Sequence, residues 1–369
     1  MTGLPARIGV IGCGNISGIY LKNSRLFEGL DVVACADLDM DRARARAAEY
    51  DVPLVCTVEE LLDNRRVDVI LNLTIPRAHA EIGLAALASG KHVYNEKPLA
   101  LGREDARRML EAASARGLLI GCAPDTFLGG GLQTCRKLID DGWIGEPISA
   151  SATFWSHGPE TWHPDPEFFY QPGAGPMFDM GPYYITALVA LMGPVRRVTG
   201  STRTTYPERT ITSEPHRGEI ISVKTPTHIA GVLDFVSGAV ATIVTSFDVW
   251  PHEQTYIEIF GTEGTLRVPD PNTFGGPVRV RRANAKQWSK FPLTHGHTTN
   301  SRGIGLAELA RALRSGRPHR ANGDLAYHVL DTMHAFFDAS RENCHVELTS
   351  TCHRPAPLPL GLPEYSLDE

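Results

Sequence analysis

Chemistry is most legible where Gly12-Cys13-Gly14-Asn15-Ile16-Ser17 follows directly on the apolar run Ile8 to Ile11. This is a G-x-G-x-x-S spacing between an expected strand and an expected helix. Gly12 permits the tight turn, and Gly14 removes the side chain that would keep a pyrophosphate from the free N–H groups of the helix N-terminus. Gly12, Gly14, Asn15 and Ile16 are therefore the expected contacts of a dinucleotide, with Ser17 standing where a third glycine is more usual. An acidic residue, Asp37, closes the second apolar run about 20 residues later. A carboxylate there can accept hydrogen bonds from both ribose hydroxyls of NAD, whereas the extra phosphate of NADP would meet its negative charge. NAD is the predicted cofactor. The same carboxylate could instead cap the helix that starts near Asp39.

Two further groupings carry polar chemistry. Asp179 and Tyr183 lie four apart in a stretch of helical apolar spacing, which puts both on one face near a helix N-terminus able to stabilise an anion. The second is Trp155-Ser156-His157-Gly158-Pro159-Glu160-Thr161-Trp162-His163-Pro164. Aromatic faces cover the C–H surface of a sugar while polar groups reach its hydroxyls, so Trp155, His157 and His163 are expected substrate contacts. A structural role for His163 fits the same letters. The H-x-x-E-x-x-H spacing raises a metal site, but Gly158, Pro159 and Pro164 break the helix that would align the ligands, and no metal is expected.

The elements that must position these residues follow from periodicity. From Arg7 to Cys122 short apolar runs (Ile8 to Ile11, Val32 to Ala36, Val67 to Leu73, His92 to Tyr94, Leu118 to Cys122) alternate with helix-forming stretches at Asp41 to Tyr50, Ala78 to Ala88 and Asp105 to Ala115. That rhythm predicts a doubly wound parallel sheet. The second half is β-rich, with runs at Val198 to Arg203, Ile229 to Phe235, Ala239 to Phe247, Thr255 to Phe260 and Thr265 to Val268, and with turns at Ser237-Gly238 and Glu263-Gly264. A chain of 369 residues exceeds the usual size of one core, so two domains are expected.

Composition narrows the partners. With 36 Lys+Arg against 42 Asp+Glu the formal charge is −6, which creates no field to gather nucleic acid or anionic lipid. Hydrophobic residues at 42% and charged residues at 21% suit a globular protein. The seven cysteines are scattered and never spaced C-x-x-C, as expected of reduced thiols in a cytoplasm. No signal-peptide pattern precedes Arg7 and no apolar run reaches membrane-spanning length, so neither secretion nor membrane insertion is expected.

Thr74-Ile75-Pro76-Arg77-Ala78-His79 and Gly90-Lys91-His92-Val93-Tyr94-Asn95-Glu96-Lys97-Pro98-Leu99, together with the glycine fingerprint, resemble the Gfo/Idh/MocA oxidoreductases. The likeness continues through Leu138 to Pro147 and Gly173 to Gly181 and weakens after about Arg281. It implies an α/β protein: an N-terminal Rossmann domain over 1–123, then a C-terminal α/β domain over 124–369 with a large, mainly antiparallel sheet that binds substrate and mediates oligomerisation, as a dimer or tetramer. It also implies that Thr74, Pro76, His79, Glu96 and Lys97 contact the cofactor, and that Lys97 lies beside the nicotinamide and the reacting hydroxyl. His79 could equally be satisfied by its own backbone. Many relatives carry D-x-G-x-H where this chain has Asp179 and Tyr183, so tyrosine replaces the acid/base histidine. By position Asp125, Asn300 and Arg302 are further expected substrate contacts, although a surface arginine and a helix-capping asparagine would explain the last two as well.

Oxidising a secondary alcohol needs a base within hydrogen-bond reach of its oxygen. Lysine titrates near pH 10.4, and use as a base near neutrality requires its pKa to fall by about three, worth roughly 4 kcal/mol. Burial and a positive nicotinamide ring both act in that direction. Tyr183 is the expected general acid/base, Lys97 its electrostatic partner and Asp179 a ligand of substrate hydroxyls; alternatively, Tyr183 is an aromatic of the core beside Tyr184. The expected activity is hydride transfer between NAD and a secondary hydroxyl of a sugar, glycoside or polyol. Two alternatives stay open: a redox-neutral enzyme that keeps NAD bound while it epimerises or cleaves a glycoside, and a catalytically silent sensor of sugar or NAD.

Overall fold

The computed structural model describes residues 4–250, 253 and 255–368, which form two compact units. Of the described residues, the first takes those within 4–133, 294–330 and 355–368, and the second those within 134–293 and 331–354. The expected division at 123/124 differs from this grouping, because 124–133, 294–330 and 355–368 lie with the N-terminal residues.

In the first unit β1 (Ala6–Ile11), α1 (Ser17–Ser24), β2 (Leu30–Ala36), α2 (Met40–Glu49), α3 (Val58–Asp63), β3 (Val69–Asn72), α4 (His79–Ala88), β4 (His92–Asn95), α5 (Arg103–Ser114) and β5 (Ile120–Cys122) alternate as expected. The five strands form a parallel sheet in the order β2-β1-β3-β4-β5. Ile8, Val10, Val69, Ile70, Leu71 and Val93 are wholly buried, as strands covered on both faces require. Thr57 and Glu60 form a reciprocal capping box that starts α3, an element the apolar spacing did not reveal.

The edge strand β5 is not left open. Asn322 bridges to Gly121, and the Cys122 N–H donates to the carbonyl of Ala321 at 3.1 Å. Glu308, with no exposed surface, holds Arg320 and Arg317 at 2.8 Å each, and Arg320 also holds Asp368 at 2.8 Å. The β5 edge contacts tie 294–330 to the N-terminal sheet, and the ion pairs of Arg320 with Glu308 and Asp368 tie the last segment to it in turn.

The chain continues with α6 (Gly130–Asp140), β6 (Pro147–Trp155), α7 (Pro176–Met192), β7 (Val195–Arg203), β8 (Glu208–Thr210), β9 (Ile220–Ser222), β10 (His228–Phe235), β11 (Val240–Ser246), β12 (Ile257–Gly261), β13 (Gly264–Val268), β14 (Val278–Arg282), β15 (Ser289–Phe291), α8 (Ile304–Ser315), α9 (Gly323–Glu342) and β16 (Val346–Glu347). Nine of these strands form a sheet in the order β15-β14-β13-β12-β6-β11-β10-β7-β16, antiparallel except at β6/β11. β8 and β9 form a separate hairpin. One face of the large sheet packs on α7, which is apolar nearly all round and buried along most of its length. Gly200 and Gly231 are cross-strand partners, and a Cβ on either would lie within 2.8 Å of the Phe336 ring. The paired glycines are the bed on which that aromatic lies. Among the described residues no helix is long and apolar enough to cross a membrane.

Candidate active site

The turn after β1 has the geometry its glycines imply. Gly12 sits at φ 99°, and a Cβ there would lie 2.6 Å from the Leu73 backbone, so no other residue fits. A Cβ on Gly14 would meet nothing within 4 Å, leaving open space beside the first turn of α1. No side chain caps that helix; its Ser17 N–H turns back to the Gly14 carbonyl at 3.2 Å, and the turn beyond it presents the helix N-terminus to an anion. Ser17 is accommodated in place of glycine by folding back, its Oγ donating to the Gly14 carbonyl at 2.7 Å.

Asp37 Oδ2 accepts from the Cys13 N–H at 2.7 Å and Oδ1 from the Asp39 N–H at 2.9 Å. It braces the glycine turn. The cap of α2 is Asp39, which accepts from Asp41 and Arg42, so helix capping does not account for Asp37. Leu38, Ile75 and Ile16 are exposed aliphatics on the loops around this turn, Leu38 at 97 %.

Behind the turn, the ends of β3 and β4 are tied by buried amides. Asn72 Nδ2 donates to Asn95 Oδ1 at 3.0 Å, Asn95 Nδ2 to the Leu99 carbonyl at 3.0 Å, and Thr74 Oγ1 to Asn72 Oδ1 at 2.7 Å. His79, wholly buried at the start of α4, aims Nδ1 at the Pro98 carbonyl (2.6 Å) and Nε2 at the Thr74 carbonyl (3.0 Å), while Pro76 opens the short turn before it. Both ring nitrogens thus meet backbone, and burial pushes the imidazole pKa down. Glu96 accepts from the Tyr20 hydroxyl at 2.7 Å and from the Lys97 N–H at 2.8 Å. Glu96 and His79 therefore fix the backbone on both sides of Lys97, whose side chain is half-buried.

Three expected substrate contacts lie elsewhere in this unit. Asp125 is 1 % exposed, and its Oδ2 accepts from the N–H groups of Gly303 and Gly305 at 2.9 and 3.1 Å, capping α8 from a distant part of the chain. Burial raises its pKa to about 6. The structure thus gives Asp125 a capping task that the expectation of a substrate contact did not include. Asn300 and Arg302 lead into that same helix; their carbonyls both accept from Asn23 Nδ2 at 2.8 Å, and Arg302 Nη1 donates to Asn300 Oδ1 at 3.0 Å.

The second unit carries the other group. α7 begins three residues before Asp179, after Gly175 at φ 87°, with Pro176 in its first position. Asp179 lies in the first turn and Tyr183 one turn on, on the same face. Tyr184 is wholly buried and packs against Phe154, and Tyr183 is itself only 9 % exposed, so both tyrosines lie in the buried part of α7. Trp155 stacks on His228 with ring centres 6.1 Å apart, and His157 on Trp250 at 3.5 Å. His163 Nδ1 accepts from the Asp165 N–H at 3.0 Å, and its ring packs edge-on to Phe168 and Phe169. Glu160 does not face the two histidines as a ligand: Arg209 holds it at 2.7 Å and the Tyr170 hydroxyl donates to its other oxygen. Nothing in the spacing around Glu208-Arg209-Thr210 signalled this arginine, since its partners lie far along the chain.

Two family models match. The model described as oxidoreductase family, NAD-binding Rossmann fold, covers 6–123, and the C-terminal domain model of the same family covers 132–267. The chain belongs to the Gfo/Idh/MocA oxidoreductase family. Inositol 2-dehydrogenase 3 of Saccharopolyspora erythraea is 29% identical over 292 residues, 78% of this chain and 80% of its own. An NAD-binding oxidoreductase from Klebsiella pneumoniae has the same fold (TM-score 0.82, 23% identity, 94% of this chain and 100% of that one). So does levoglucosan dehydrogenase in complex with NADH and levoglucosan (TM-score 0.81, 20% identity, 93% and 99%).

The Gfo/Idh/MocA protein is an NAD-binding oxidoreductase, and its glycine turn fits the dinucleotide. The space a Cβ on Gly14 would leave empty, the uncapped start of α1 and the Asp37 carboxylate at the end of β2 are the features such a ligand needs. Bound there, NAD supplies the hydride acceptor.

Proposed function

We propose that this protein is a dehydrogenase that transfers a hydride between NAD and a secondary hydroxyl of a sugar, glycoside or polyol. The observation that carries the reading is the placing of Asp179 and a hydroxyl-bearing Tyr183 on one face of the first turns of α7. A carboxylate there accepts from substrate hydroxyls and a phenol exchanges the proton of the reacting one. Tyr183 acts as its phenolate, which the Lys97 ammonium favours and whose own proton has gone to solvent; as the C–H hydride leaves, this phenolate takes the hydroxyl proton, and Lys97 stabilises the negative charge on the reacting oxygen. The products are a ketone, NADH and one proton.

In this reading Gly12, Gly14, Asn15, Ile16, Asp37, Thr74 and Pro76 hold the dinucleotide, with His79 and Glu96 holding the loop of Lys97. Trp155, His157 and His163, with Asn300 and Arg302, recognise the remaining hydroxyls and C–H faces. The names of the relatives support a cyclic polyol or sugar: one is an inositol dehydrogenase and another was solved with levoglucosan. Seven cysteines that form no disulfide among the described residues support a reducing compartment.

The test is NADH absorbance in purified protein offered inositols, hexoses, anhydrosugars and glycosides, with Lys97→Ala as the blank. One NADH per substrate oxidised is the expected result. Product formed with no net NADH points instead to a redox-neutral cycle, and silence across the panel defeats the proposal.

A further inference from the structure

The loop that carries His157 and His163 is fixed by one buried arginine. Arg209 Nη1 donates to Glu160 Oε1 at 2.7 Å and to the His157 carbonyl at 3.2 Å; Nη2 donates to the Phe247 carbonyl at 3.0 Å and to Asp248 Oδ1. The side chains of Arg209, Glu160 and Asp248 are 5, 5 and 8 % exposed. The Tyr170 hydroxyl completes Glu160, and Thr227 Oγ1 donates to Asp248 Oδ2 at 2.8 Å. The guanidinium also lies over the Tyr206 ring at 4.8 Å.

This centre reaches both expected sugar contacts through their backbones. The His157 carbonyl is held by Arg209 itself, whereas the His163 carbonyl accepts from Ser213 Oγ at 2.5 Å. Ser213 and Thr212 in turn donate their N–H groups to the Glu160 carbonyl. The frame extends to α7: the Gly175 N–H donates to Phe169 at 2.8 Å, and the Lys224 N–H to Tyr170 at 2.8 Å. A buried ion pair of this kind adds little net stability against a hydrophobic substitute, but it fixes geometry once formed. Only the planar fork of arginine can serve four acceptors in these directions; a lysine presents a single point charge.

We infer that Arg209 is a positioning residue for substrate recognition: held by Glu160 and Asp248, it sets where the His157 and His163 imidazoles and the start of α7 stand, without touching substrate. The inference rests on the reading of this loop as sugar-binding. It assigns the H-x-x-E-x-x-H spacing a purpose, with Glu160 as the anchor between two recognition histidines.

Steady-state kinetics with the best substrate of the sugar screen test it, on Arg209→Lys, Tyr170→Phe and the reference variant His163→Ala. Arg209→Lys is expected to raise the sugar KM about tenfold or more while kcat stays within about threefold and the NAD KM within about twofold. Tyr170→Phe, which removes one O–H from Glu160, moves the sugar KM the same way by less. A residue that served stability alone would lower Tm and leave the sugar KM where it was, and that result overturns the inference. Should Arg209→Lys fail to fold, an unchanged sugar KM in Tyr170→Phe overturns it instead. An unchanged KM in His163→Ala removes the underlying reading of the loop; a raised one beside a silent Arg209→Lys removes only the role of Arg209.

Discussion

Asp125 and Gly305 are 180 residues apart, and the carboxylate of one accepts the backbone N–H of the other at 3.1 Å. Gly303 makes the second bond, and α8 has no cap of its own. Gly305 is glycine because a Cβ there would lie 2.1 Å from the buried Tyr94 hydroxyl. A helix from the C-terminal third is thereby seated on the N-terminal sheet by a residue just after β5.

That seat has a pH signature. Burial raises the Asp125 pKa to about 6, against 3.8 for an ordinary aspartate. Between those values the folded protein binds a proton that the unfolded chain does not, so this group's contribution is greatest at or below pH 3.8 and falls as pH rises to 6. The loss is roughly 3 kcal/mol by pH 7. Asp125→Asn keeps an oxygen for both N–H groups and carries no charge. Urea melts from pH 4.5 to 7.5 should therefore show the Asn variant gaining on the parent as pH rises; parallel curves would mean the carboxylate is not the titrating group.

Asp37 yields a prediction about cofactor choice. Its Oδ1 lies 3.8 Å from the Arg42 guanidinium, which is half-exposed. Asp37→Asn retains an acceptor for the Cys13 N–H but withdraws the charge that opposes a 2′-phosphate, leaving Arg42 to meet it. The NAD KM should rise about tenfold, and the preference for NAD over NADP should narrow by more than that. Unchanged values for both cofactors would show that neither ribose reaches this carboxylate.

The Gly200/Gly231 pair makes a third case. A Cβ at 231 would sit 2.3 Å from the Thr199 carbonyl and 2.5 Å from Phe336, both in a packed interior. Gly231→Ala should cost about 2 kcal/mol or more, within the range of overpacking. Gly231→Ala combined with Phe336→Leu should recover part of this, because the ring is one of the two obstacles. A Tm unchanged from the parent in Gly231→Ala would refute the tight bed.

What could be read along the chain was local. Strand runs such as Ile8 to Ile11 and the G-x-G turn declare themselves because side-chain period and backbone φ are set by near neighbours. The Asp179/Tyr183 face follows from the same kind of spacing. The capping task of Asp125 was not legible because its partners, Gly303 and Gly305, act through backbone groups that no letter marks. Arg209 stayed hidden for a like reason: Glu160 is 49 residues before it, Asp248 is 39 after, and each alone resembles a surface charge.

The proposed chemistry itself is separable from folding through Tyr183→Phe, which keeps the ring and deletes one oxygen. Removal of a general acid/base typically lowers turnover by 10² to 10⁴, roughly 3 to 5 kcal/mol in the barrier. The NAD KM should hold, since the dinucleotide model ends at residue 123. Lys97→Ala should fall by a comparable factor, and the double variant by much less than the product, because groups on one proton path act as a unit. Multiplying losses in the double variant would assign the two side chains to separate steps. Near-parental turnover in Tyr183→Phe would remove the phenol from the mechanism and leave Lys97 as the base.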